Sequence, residues 1–261
     1  MAAPPSICTQ ITIDDTNKYI DCHDGVDEDT ATITTGTYAD IWALCSEIQT
    51  RVRLLDAGAS PYGGTTVVPN FDGSVPGLIK FTFAATCAIN WKTGTHGSDN
   101  TDTHIGTILG FDDSEDDSGA STYTSDYQHQ HGFYCVRWPK SYGPEKREAI
   151  GGDLRVSLSS QYAKKVHVGF RRNYRIELVE LVPELTFVAD ATGSNTNRDL
   201  ETVWQAIAQG DYFRYREDQE VEGTYTDYYL KSPHNFDEAV TRPHMDYESY
   251  NITLDFIRKE S

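Results

Sequence analysis

Two histidines that flank a single glutamine are the first residues in this sequence that could do chemistry. His129 and His131 would lie on one face of an extended strand, where two imidazoles can share a metal ion. Cys135 is the only soft ligand close by, whereas a closed metal site needs three or four ligands of defined geometry. We therefore predict no metal site here. We expect His167, which stands between two valines, to lie on the solvent-exposed face of a strand.

Acidic runs offer a second kind of metal chemistry. The run Asp21–Asp29 places carboxylates around Gly25, as calcium loops do, but Thr30 and Ala31 stand where a closing glutamate is needed. We predict a solvated acidic turn there. Asp112–Asp117 holds five carboxylates in six residues that could bind a cation. Without a cation these carboxylates would repel one another, which favours a mobile surface loop.

Motifs of well-known enzyme classes are missing from the sequence. It has no G-x-S-x-G, H-E-x-x-H, phosphate loop or dinucleotide fingerprint, and Ser159-Ser160 lacks a strained turn to present a nucleophile. The 40 acidic residues leave open a pair of carboxylates for glycoside hydrolysis, although nothing singles out one pair. We predict a non-enzymatic protein with no catalytic residues, no metal and no cofactor.

The four tryptophans are candidates for stacking against sugars. Trp204 falls on the apolar stripe of a predicted helix and should be core, whereas Trp42 should be partly buried. Trp91 and Trp138 stand at the ends of predicted strands, where packing and ligand binding are both open. The alternative function is therefore a β-sandwich module that binds carbohydrate or a host receptor through Trp91, Trp138 and the acidic loops.

The net charge argues against one class of function. The chain of 261 residues carries 22 basic and 40 acidic side chains, which gives a net charge of −18. Proteins that grip nucleic acid by its phosphates need an excess of Lys and Arg, which this chain lacks. An acidic surface instead repels nucleic acid, keeps the protein soluble or meets a basic partner.

The cysteines and the first residues indicate where the chain folds. Five cysteines are scattered without a C-x-x-C pair, so we expect reduced and mostly buried thiols, as in a cytoplasm. The first ten residues, MAAPPSICTQ, lack a basic region followed by an apolar run, so we expect no signal peptide. No apolar window approaches the length of a membrane span, and we expect no membrane insertion.

The longest predicted helix spans residues 37–57. Thr37 is its N-cap and Asp40 stands three residues on, a variant of the capping box, while Gly58 follows the last turn. Its buried stripe is Ile41, Leu44, Cys45, Ile48, Val52 and Leu55. Around the helix we predict strands at 11–13, 19–20, 30–34, 67–68, 78–83 and 88–91 and a helical turn at 103–109.

A shorter helix over 198–209 leads into an aromatic strand, Tyr212–Arg216. This helix has one apolar stripe, which must pack on a sheet. We expect that sheet to contain the aromatic strand together with Asn173–Val182 and Ser249–Ile257. The stripe consists of Leu200, Val203, Trp204 and Ile207.

Two domains account for the order of these elements. A polar stretch with a Gly-Pro break, Ser141–Glu148, is the candidate linker. It divides the chain into an accessory domain, residues 1–140, and a second domain, residues 141–261. The predicted fold class is mainly β with a few helices, arranged as two β-sandwich-like domains that each have one flanking α-helix.

Three motifs of the first part resemble a module that recurs in structural proteins of tailed bacteriophages. They are TGTYADIWAL at Thr35–Leu44, IGTILGFDD at Ile105–Asp113 and DSGASTYTSD at Asp117–Asp126. The module covers about half of the chain. The resemblance implies a fold and a virion context and no particular chemistry.

The second part resembles the ring-forming domain of phage tail proteins. The matching positions are Arg172–Leu181, Leu200–Asp218 with its W-x-x-I-A-x-G motif, and Tyr247–Arg258. Distal tail proteins and tail-tube proteins share this plan, in which a helix flanks a small sandwich and copies join edge to edge. In distal tail proteins the ring domain precedes the accessory domain, whereas here the order is reversed.

The resemblance implies a non-enzymatic virion protein in the distal tail or baseplate ring around the DNA channel. Its partners would be other copies of the chain and tail proteins such as tube, hub or fibre proteins. It would be made in the cytoplasm of a bacterial host. DNA would pass a channel of like charge without specific binding.

Overall fold

The protein is mainly β with a few helices, as predicted from the sequence. The computed structural model describes residues 6–71, 77–129, 131–134, 141–142, 146–156, 163–181, 200–208, 212–232, 240–241 and 250–259. Its helices are α1 (Ile41–Val52), α2 (Gly106–Leu109) and α3 (Leu200–Ala208), and a 3-10 turn spans Leu55–Gly58.

The strands of the described residues follow in chain order. They are β1 (Ser6–Cys8), β2 (Ile11–Ile13), β3 (Tyr19–His23), β4 (Glu28–Thr32), β5 (Gly36–Tyr38), β6 (Thr66–Asn70), β7 (Leu78–Ile89), β8 (Asp117–Thr124), β9 (Gly132–Tyr134), β10 (Ser141–Tyr142), β11 (Lys146–Val156), β12 (Ala163–Leu181), β13 (Phe213–Arg216), β14 (Tyr225–Ser232), β15 (Val240–Thr241) and β16 (Tyr250–Arg258).

Two larger sheets and one short strand pair make up the fold. The smaller sheet has five strands, in which β7 pairs with β3, β6 and β8, and β4 pairs with β3. The larger sheet has nine strands, with the path β10-β12-β16-β14-β13-β1-β9. In addition, β11 pairs with β12 and β15 pairs with β16, while β2 pairs with β5 on their own. All of these pairings are antiparallel, as in a sheet built from hairpins and meanders.

The N-terminal segment is part of the larger sheet. β1 pairs with β13 on one side and with β9 on the other, so Ile7 lies opposite Tyr215 and Phe133. Strands from the two sides of residue 140 therefore share backbone hydrogen bonds. The N-terminal residues bridge the chain's two parts before the chain enters the smaller sheet.

Most residues of the predicted apolar stripes lie in the core. The prediction is wrong for Leu55, which is only partly buried and lies in the 3-10 turn, and the side chain of Leu200 lies outside the described part. In α1, Ile41, Leu44, Cys45, Ile48 and Val52 are all buried, and this helix packs against β6. In α3, Val203, Trp204 and Ile207 are buried, and the helix contacts β14 and β9. The aromatic strand behaves as its alternation predicts on one face, because Phe213 and Tyr215 are buried beside Phe256 and Leu254.

Helix α1 begins four residues later than predicted. The prediction of Thr37 as N-cap is wrong, because Gly36–Tyr38 is extended and pairs with β2. Asp40 is the N-cap, and its Oδ1 accepts a hydrogen bond from the Ala43 N–H at 2.9 Å. The α-helix ends at Val52, so the predicted last turn is instead the separate 3-10 turn.

Two further predictions need correction. The strands predicted at 78–83 and 88–91 form one strand, β7, in which Ala84, Ala85 and Thr86 are exposed. Three exposed small residues in a row break the alternation that signals a strand, which is why the sequence suggested two. The predicted linker is also wrong for its described residues, because Ser141–Tyr142 and Lys146–Glu148 pair with β12.

A buried ion cluster joins α1 to the larger sheet. Asp40 has no exposed surface, and its Oδ2 lies 2.5 Å from Nη2 of Arg216 and 3.4 Å from Nη1 of Arg214. Arg216 is itself only 1% exposed. Its other terminal nitrogen donates to the carbonyl oxygens of Val221 and Glu222. One carboxylate thus caps a helix of the N-terminal part and pairs with two arginines of β13.

Aromatic rings complete the surroundings of the two guanidinium groups. The Arg216 guanidinium lies 5.2 Å from the ring centre of Trp42, and that of Arg214 lies 4.0 Å from the ring centre of Tyr225. Arg214 also donates from Nε to Asp227 at 3.2 Å. A buried charge is costly unless it is paired and hydrogen-bonded, so removing Asp40 would leave Arg216 without its counter-charge.

We predict that Asp40→Asn destabilises the protein strongly. Asparagine caps helices as well as aspartate does, so the substitution removes the charge and leaves the cap in place. Breaking a buried ion pair by removing one partner costs about 3–5 kcal/mol, and the free energy of unfolding in guanidinium chloride should fall by about that amount.

The matched control is Asp15→Asn. Asp15 pairs with Lys18, but its side chain is 85% exposed, so this variant should unfold like the wild type. An Asp40→Asn protein whose unfolding free energy stays within about 1 kcal/mol of the wild type would contradict the role assigned to the cluster.

Candidate functional site

Carboxylates of the acidic runs hold one loop in place. This loop, residues 91–104, follows β7 and leads towards α2. Asp116 accepts hydrogen bonds from the Lys92 N–H at 2.7 Å, the Thr93 N–H at 3.0 Å and the Thr93 hydroxyl at 2.6 Å. The prediction of a purely solvated loop is therefore wrong for Asp116, because its oxygens satisfy backbone donors.

Two more acidic side chains bond the same loop. Glu28 accepts from the Thr95 N–H at 3.0 Å, from its hydroxyl at 2.7 Å and from the Asn90 amide at 2.9 Å. Burial acts to raise the pKa of Glu28, but these hydrogen bonds outweigh it and lower the pKa below its usual value. Asp117 accepts from the indole N–H of Trp91 at 3.0 Å, and burial raises the pKa of this carboxyl.

The fourth carboxylate, Asp21, forms a buried pair with His96. Asp21 is 1% exposed, and its Oδ2 accepts from the His96 N–H at 2.6 Å. Its Oδ1 lies 2.9 Å from Nδ1 of His96 and accepts from the Thr30 hydroxyl at 2.7 Å. The imidazole stacks on the Tyr19 ring with centroids 3.8 Å apart. The predicted solvated acidic turn is wrong for Asp21, although Gly25, Val26 and Asp27 are exposed.

An aspartate-oriented histidine is one part of an acid–base catalyst. With Nδ1 of His96 bound to Asp21, Nε2 is the nitrogen left for chemistry. A nucleophilic mechanism also needs a hydroxyl or thiol within hydrogen-bond reach of that nitrogen. Among the described residues, no Ser, Thr or Cys makes a hydrogen bond to His96 Nε2. What the pair does in this structure is anchor the 91–104 loop against β3.

Asp102, His104 and Asp113 form the one group of described side chains with the spacing of metal ligands. One ligand atom of each lies within 4.8 Å of the others. His104 is 4% exposed, and its Nε2 lies 3.5 Å from Oδ1 of Asp102. Two carboxylates and an imidazole could in principle hold a divalent cation.

The hydrogen bond on the other ring nitrogen argues against that use. Nδ1 of His104 accepts from the Gly106 N–H at 3.0 Å, so it carries the lone pair and Nε2 carries the proton in the neutral ring. A metal ion needs the Nε2 lone pair, which this tautomer does not offer. The three side chains therefore do not fit a metal centre while the Gly106 bond is made.

His129 and His131 do not meet as a metal pair either. His129 is fully buried, and its Nδ1 accepts from the His131 N–H at 3.2 Å. Its Nε2 therefore carries the proton and donates to the Tyr134 hydroxyl at 2.5 Å. His131 contacts the Thr9 hydroxyl at 3.4 Å through its own Nδ1. These bonds fasten β9 beside β1. Cys135, and the side chain of His167, lie outside the described part.

The tryptophans of the described residues pack inside the protein. Trp91 is 1% exposed and lies against Phe111, with ring centres 4.9 Å apart, so it offers no face to a sugar. Trp204 is core and Trp42 is partly buried, as predicted, while Trp138 lies outside the described residues. Four cysteines, Cys8, Cys22, Cys45 and Cys87, are buried free thiols, and burial raises the pKa of Cys8 to about 11.

Exposed aromatic surface occurs instead on β14. Tyr225 and Tyr229 are 43% and 37% exposed, and they alternate with Asp227 along the strand. Between them lies the Arg214–Asp227 ion pair, and Tyr212 meets Tyr229 edge-on at 6.5 Å. This face combines rings with charged hydrogen-bonding groups, the mixture found on surfaces that bind sugars or proteins.

A two-stranded ribbon extends from the larger sheet. β12 pairs with β16 only from Asn173 onwards, whereas its residues 163–172 pair with β11 alone among the described strands. We call these paired strands, residues 146–156 and 163–172, the ribbon. Its paired part continues for about 30 Å past the end of the β16 pairing. Within the described residues no third strand pairs with the ribbon, and two strands alone are only marginally stable in water.

Comparisons with known proteins leave the family open. No protein-family model matches the sequence, and no curated protein matches it. In the described residues, no helix has both the length and the apolar character that a membrane span requires.

Sequence reasoning missed the two most constrained polar clusters for the same reason. Asp40 was assigned to a capping box, and nothing near it in the chain points to Arg214 or Arg216. Asp21 was assigned to an acidic turn, although it lies between Ile20 and Cys22 in a strand. An alternating pattern predicts that Asp21 faces the solvent when its two apolar neighbours are buried. In the structure all three side chains are buried, so the pattern did not reveal the burial of Asp21.

We predict that His104 makes the stability depend on pH. Burial lowers the pKa of His104 below its ordinary value of 6.5, although the charges of Asp102 and Asp113 act the other way. The unfolded chain therefore binds a proton at higher pH than the folded one. Stability due to the neutral ring is complete above pH 6.5 and is lost as the pH falls through the folded-state pKa.

The variant His104→Asn tests this prediction. Its side-chain oxygen can accept the Gly106 N–H, but it does not titrate. In urea unfolding at pH 7.5, 6.5 and 5.5, the free-energy advantage of the wild type over the variant should shrink as the pH falls. His23→Asn is the control, since the partly exposed His23 makes the same bond to Gly25 at 2.9 Å. A wild-type advantage that is constant or grows on acidification would contradict the prediction.

Proposed function

We propose that this chain is a non-enzymatic structural subunit of a tailed bacteriophage. It would form part of the distal tail or baseplate ring around the DNA channel. The proposal starts from sequence motifs that resemble phage tail modules, at Thr35–Leu44, Ile105–Asp113, Asp117–Asp126 and Leu200–Asp218. What carries it is one structural observation: among the described strands, the nine-stranded sheet is open at both ends.

Open edges are suited to joining copies of a chain. At one end β9 pairs with β1 alone, and at the other end β10 and β11 pair with β12 alone, within the described residues. An unpaired edge presents a row of backbone N–H and C=O groups that another strand can complete. A head-to-tail contact of one edge on the other closes into a ring when its rotation allows.

The charge of the chain supports the placement around DNA. With a net charge of −18, a ring of many copies would carry a large negative charge. Such a channel repels the phosphates of passing DNA and offers no excess of Lys or Arg to bind them. Four carboxylates are already used to hold the 91–104 loop, so the field of the channel would come from other acidic residues.

We predict that the purified chain assembles into rings. Sedimentation velocity over a range of concentrations should show one species whose mass is an integral multiple of 29.2 kDa, and negative-stain electron microscopy should show closed rings. Antibodies against the chain should label the tails of particles encoded by the same genome. A monodisperse monomer at the highest concentration, together with unlabelled particles, would contradict the proposal.

A second candidate function is favoured by the exposed tyrosines of β14. The chain would then be a carbohydrate- or host-receptor-binding module of the tail, with Tyr225 and Tyr229 in place of the buried Trp91. These two rings project from one face of the strand with a charged pair between them.

We predict for this candidate that a glycan array detects binding by the wild type and not by Tyr229→Ala. Tyr127→Ala is the matched control, since Tyr127 is also exposed, at 39%, but belongs to the segment that follows β8 and bonds to Gly110. Both variants should unfold at the wild-type temperature. Binding that survives Tyr229→Ala, or its absence in the wild type, would count against this candidate.

A further inference from the structure

The side of β14 that carries the exposed tyrosines also carries a carboxylate oxygen without a bonding partner. Asp227 lies opposite Arg214 of β13, and its Oδ1 accepts a hydrogen bond from Nε of that arginine at 3.2 Å. No described residue donates a hydrogen bond to its Oδ2, and the side chain is 25% exposed. Both oxygens of an ionised carboxylate accept hydrogen bonds, so Oδ2 is open to a ligand.

Two exposed rings lie on either side of this carboxylate. Tyr225 and Tyr229 share a side of the strand with Asp227, because alternate residues of a strand point the same way. The Cα atoms of the two tyrosines are roughly 13 Å apart at the rise of a β-strand. Each hydroxyl can donate and accept a hydrogen bond. We call Tyr225, Asp227 and Tyr229 the tyrosine face.

From this juxtaposition we infer that the tyrosine face binds an uncharged oligosaccharide that lies along β14. The inference rests on the second candidate function and names the ligand class of that site. The C–H groups of a sugar ring would pack on the tyrosine rings, whose faces carry negative charge density. A sugar hydroxyl would donate to Oδ2 of Asp227, and a hydrogen bond to a charged acceptor is stronger than a neutral one. A single sugar ring does not reach both tyrosines, so a longer chain is required.

The charges of this surface favour an uncharged ligand. An ionised carboxylate cannot donate a hydrogen bond, so Asp227 opposes the acidic groups of charged glycans. The net charge of −18 adds repulsion at longer range. A cationic ligand would meet cations that already lie on rings, since Nζ of Lys259 is 3.1 Å from the ring centre of Tyr212 and the Arg214 guanidinium is 4.0 Å from that of Tyr225.

The size of the exposed aromatic surface argues against a protein as the occupant. A stable protein interface buries about 800 Å² on each partner, around a core of apolar and aromatic residues. Among the exposed large apolar side chains of the described residues, only Tyr225 and Tyr229 lie on β14. Two rings that are partly exposed, with a carboxylate between them, match the footprint of a few sugar rings better than that of a protein.

The variant Asp227→Asn tests the inference. Asparagine keeps an oxygen that can accept from Arg214, but it carries no charge and can also donate. Asp15→Asn removes one negative charge from a side chain that is 85% exposed and is the matched control. The probes are glucose, galactose and N-acetylglucosamine oligomers of one to four residues, together with the same oligomers carrying a terminal sialic acid. Isothermal titration calorimetry of the full chain measures each affinity.

We expect wild-type affinity for at least one uncharged series to rise with oligomer length. The sialylated counterpart should bind at least about tenfold more weakly. Asp227→Asn should lose about tenfold for the uncharged oligomer, because its hydrogen bond to a charged group is lost, and should discriminate less against sialic acid. Asp15→Asn should bind like the wild type. The comparison of uncharged and sialylated oligomers uses the wild type alone, so it holds even where Asp227→Asn fails to fold.

Each other result overturns the inference in a distinguishable way. If the wild type binds sialylated and uncharged oligomers alike, or if a folded Asp227→Asn binds like Asp15→Asn, the ligand class is wrong while the carbohydrate candidate stands. If the wild type binds no glycan, both are wrong and the proposed ring is unaffected. If the wild type binds bacterial envelopes after periodate has cleaved their sugars, and a protease abolishes that binding, the occupant is a protein.

Discussion

The buried carboxylate of Asp40 is the constraint on which the arrangement of this fold depends. It caps α1, and it pairs with two arginines of β13 that are 174 and 176 residues further along the chain. A buried charge has to keep its partners, so the start of the helix is fixed relative to the larger sheet. The pairing of β1 with β13 adds a backbone link at the same strand. Through these two contacts, α1 and β1 are both joined to β13 of the larger sheet.

Local patterns in the sequence predicted the elements well and their polar contacts poorly. Burial was predicted correctly for five stripe residues of α1 and three of α3, because apolar residues with a 3.6-residue period form one face of a helix, which packs against the core. Strand β7 was divided in two because Ala84, Ala85 and Thr86 are exposed and small, which hides the period-2 signal. The buried polar contacts of Asp40 and Asp21 were not predicted, because their partners are distant in sequence. Without those partners, an aspartate in a sequence indicates a helix cap or a turn. The His104 tautomer also depends on one backbone N–H that only the fold brings into place.

The acidic residues have more than one structural role, and the total charge of the chain does not show which residue has which role. Four carboxylates accept hydrogen bonds from the 91–104 loop and hold it in place. They belong to Asp21, Glu28, Asp116 and Asp117. Such carboxylates resemble a catalytic or metal-binding cluster when only composition is considered. The other acidic side chains account for the remaining negative charge of the chain.

The account's central claim is that this chain works as one of several identical copies around an axis. The most direct measurement is electron cryo-microscopy, at side-chain resolution, of tail particles produced by the genome that encodes it. The account predicts several copies in a ring, joined through the open edges of their larger sheets, with no catalytic ion or substrate held by their carboxylates. A particle that lacks this chain, or one that holds a single copy of it, would contradict it.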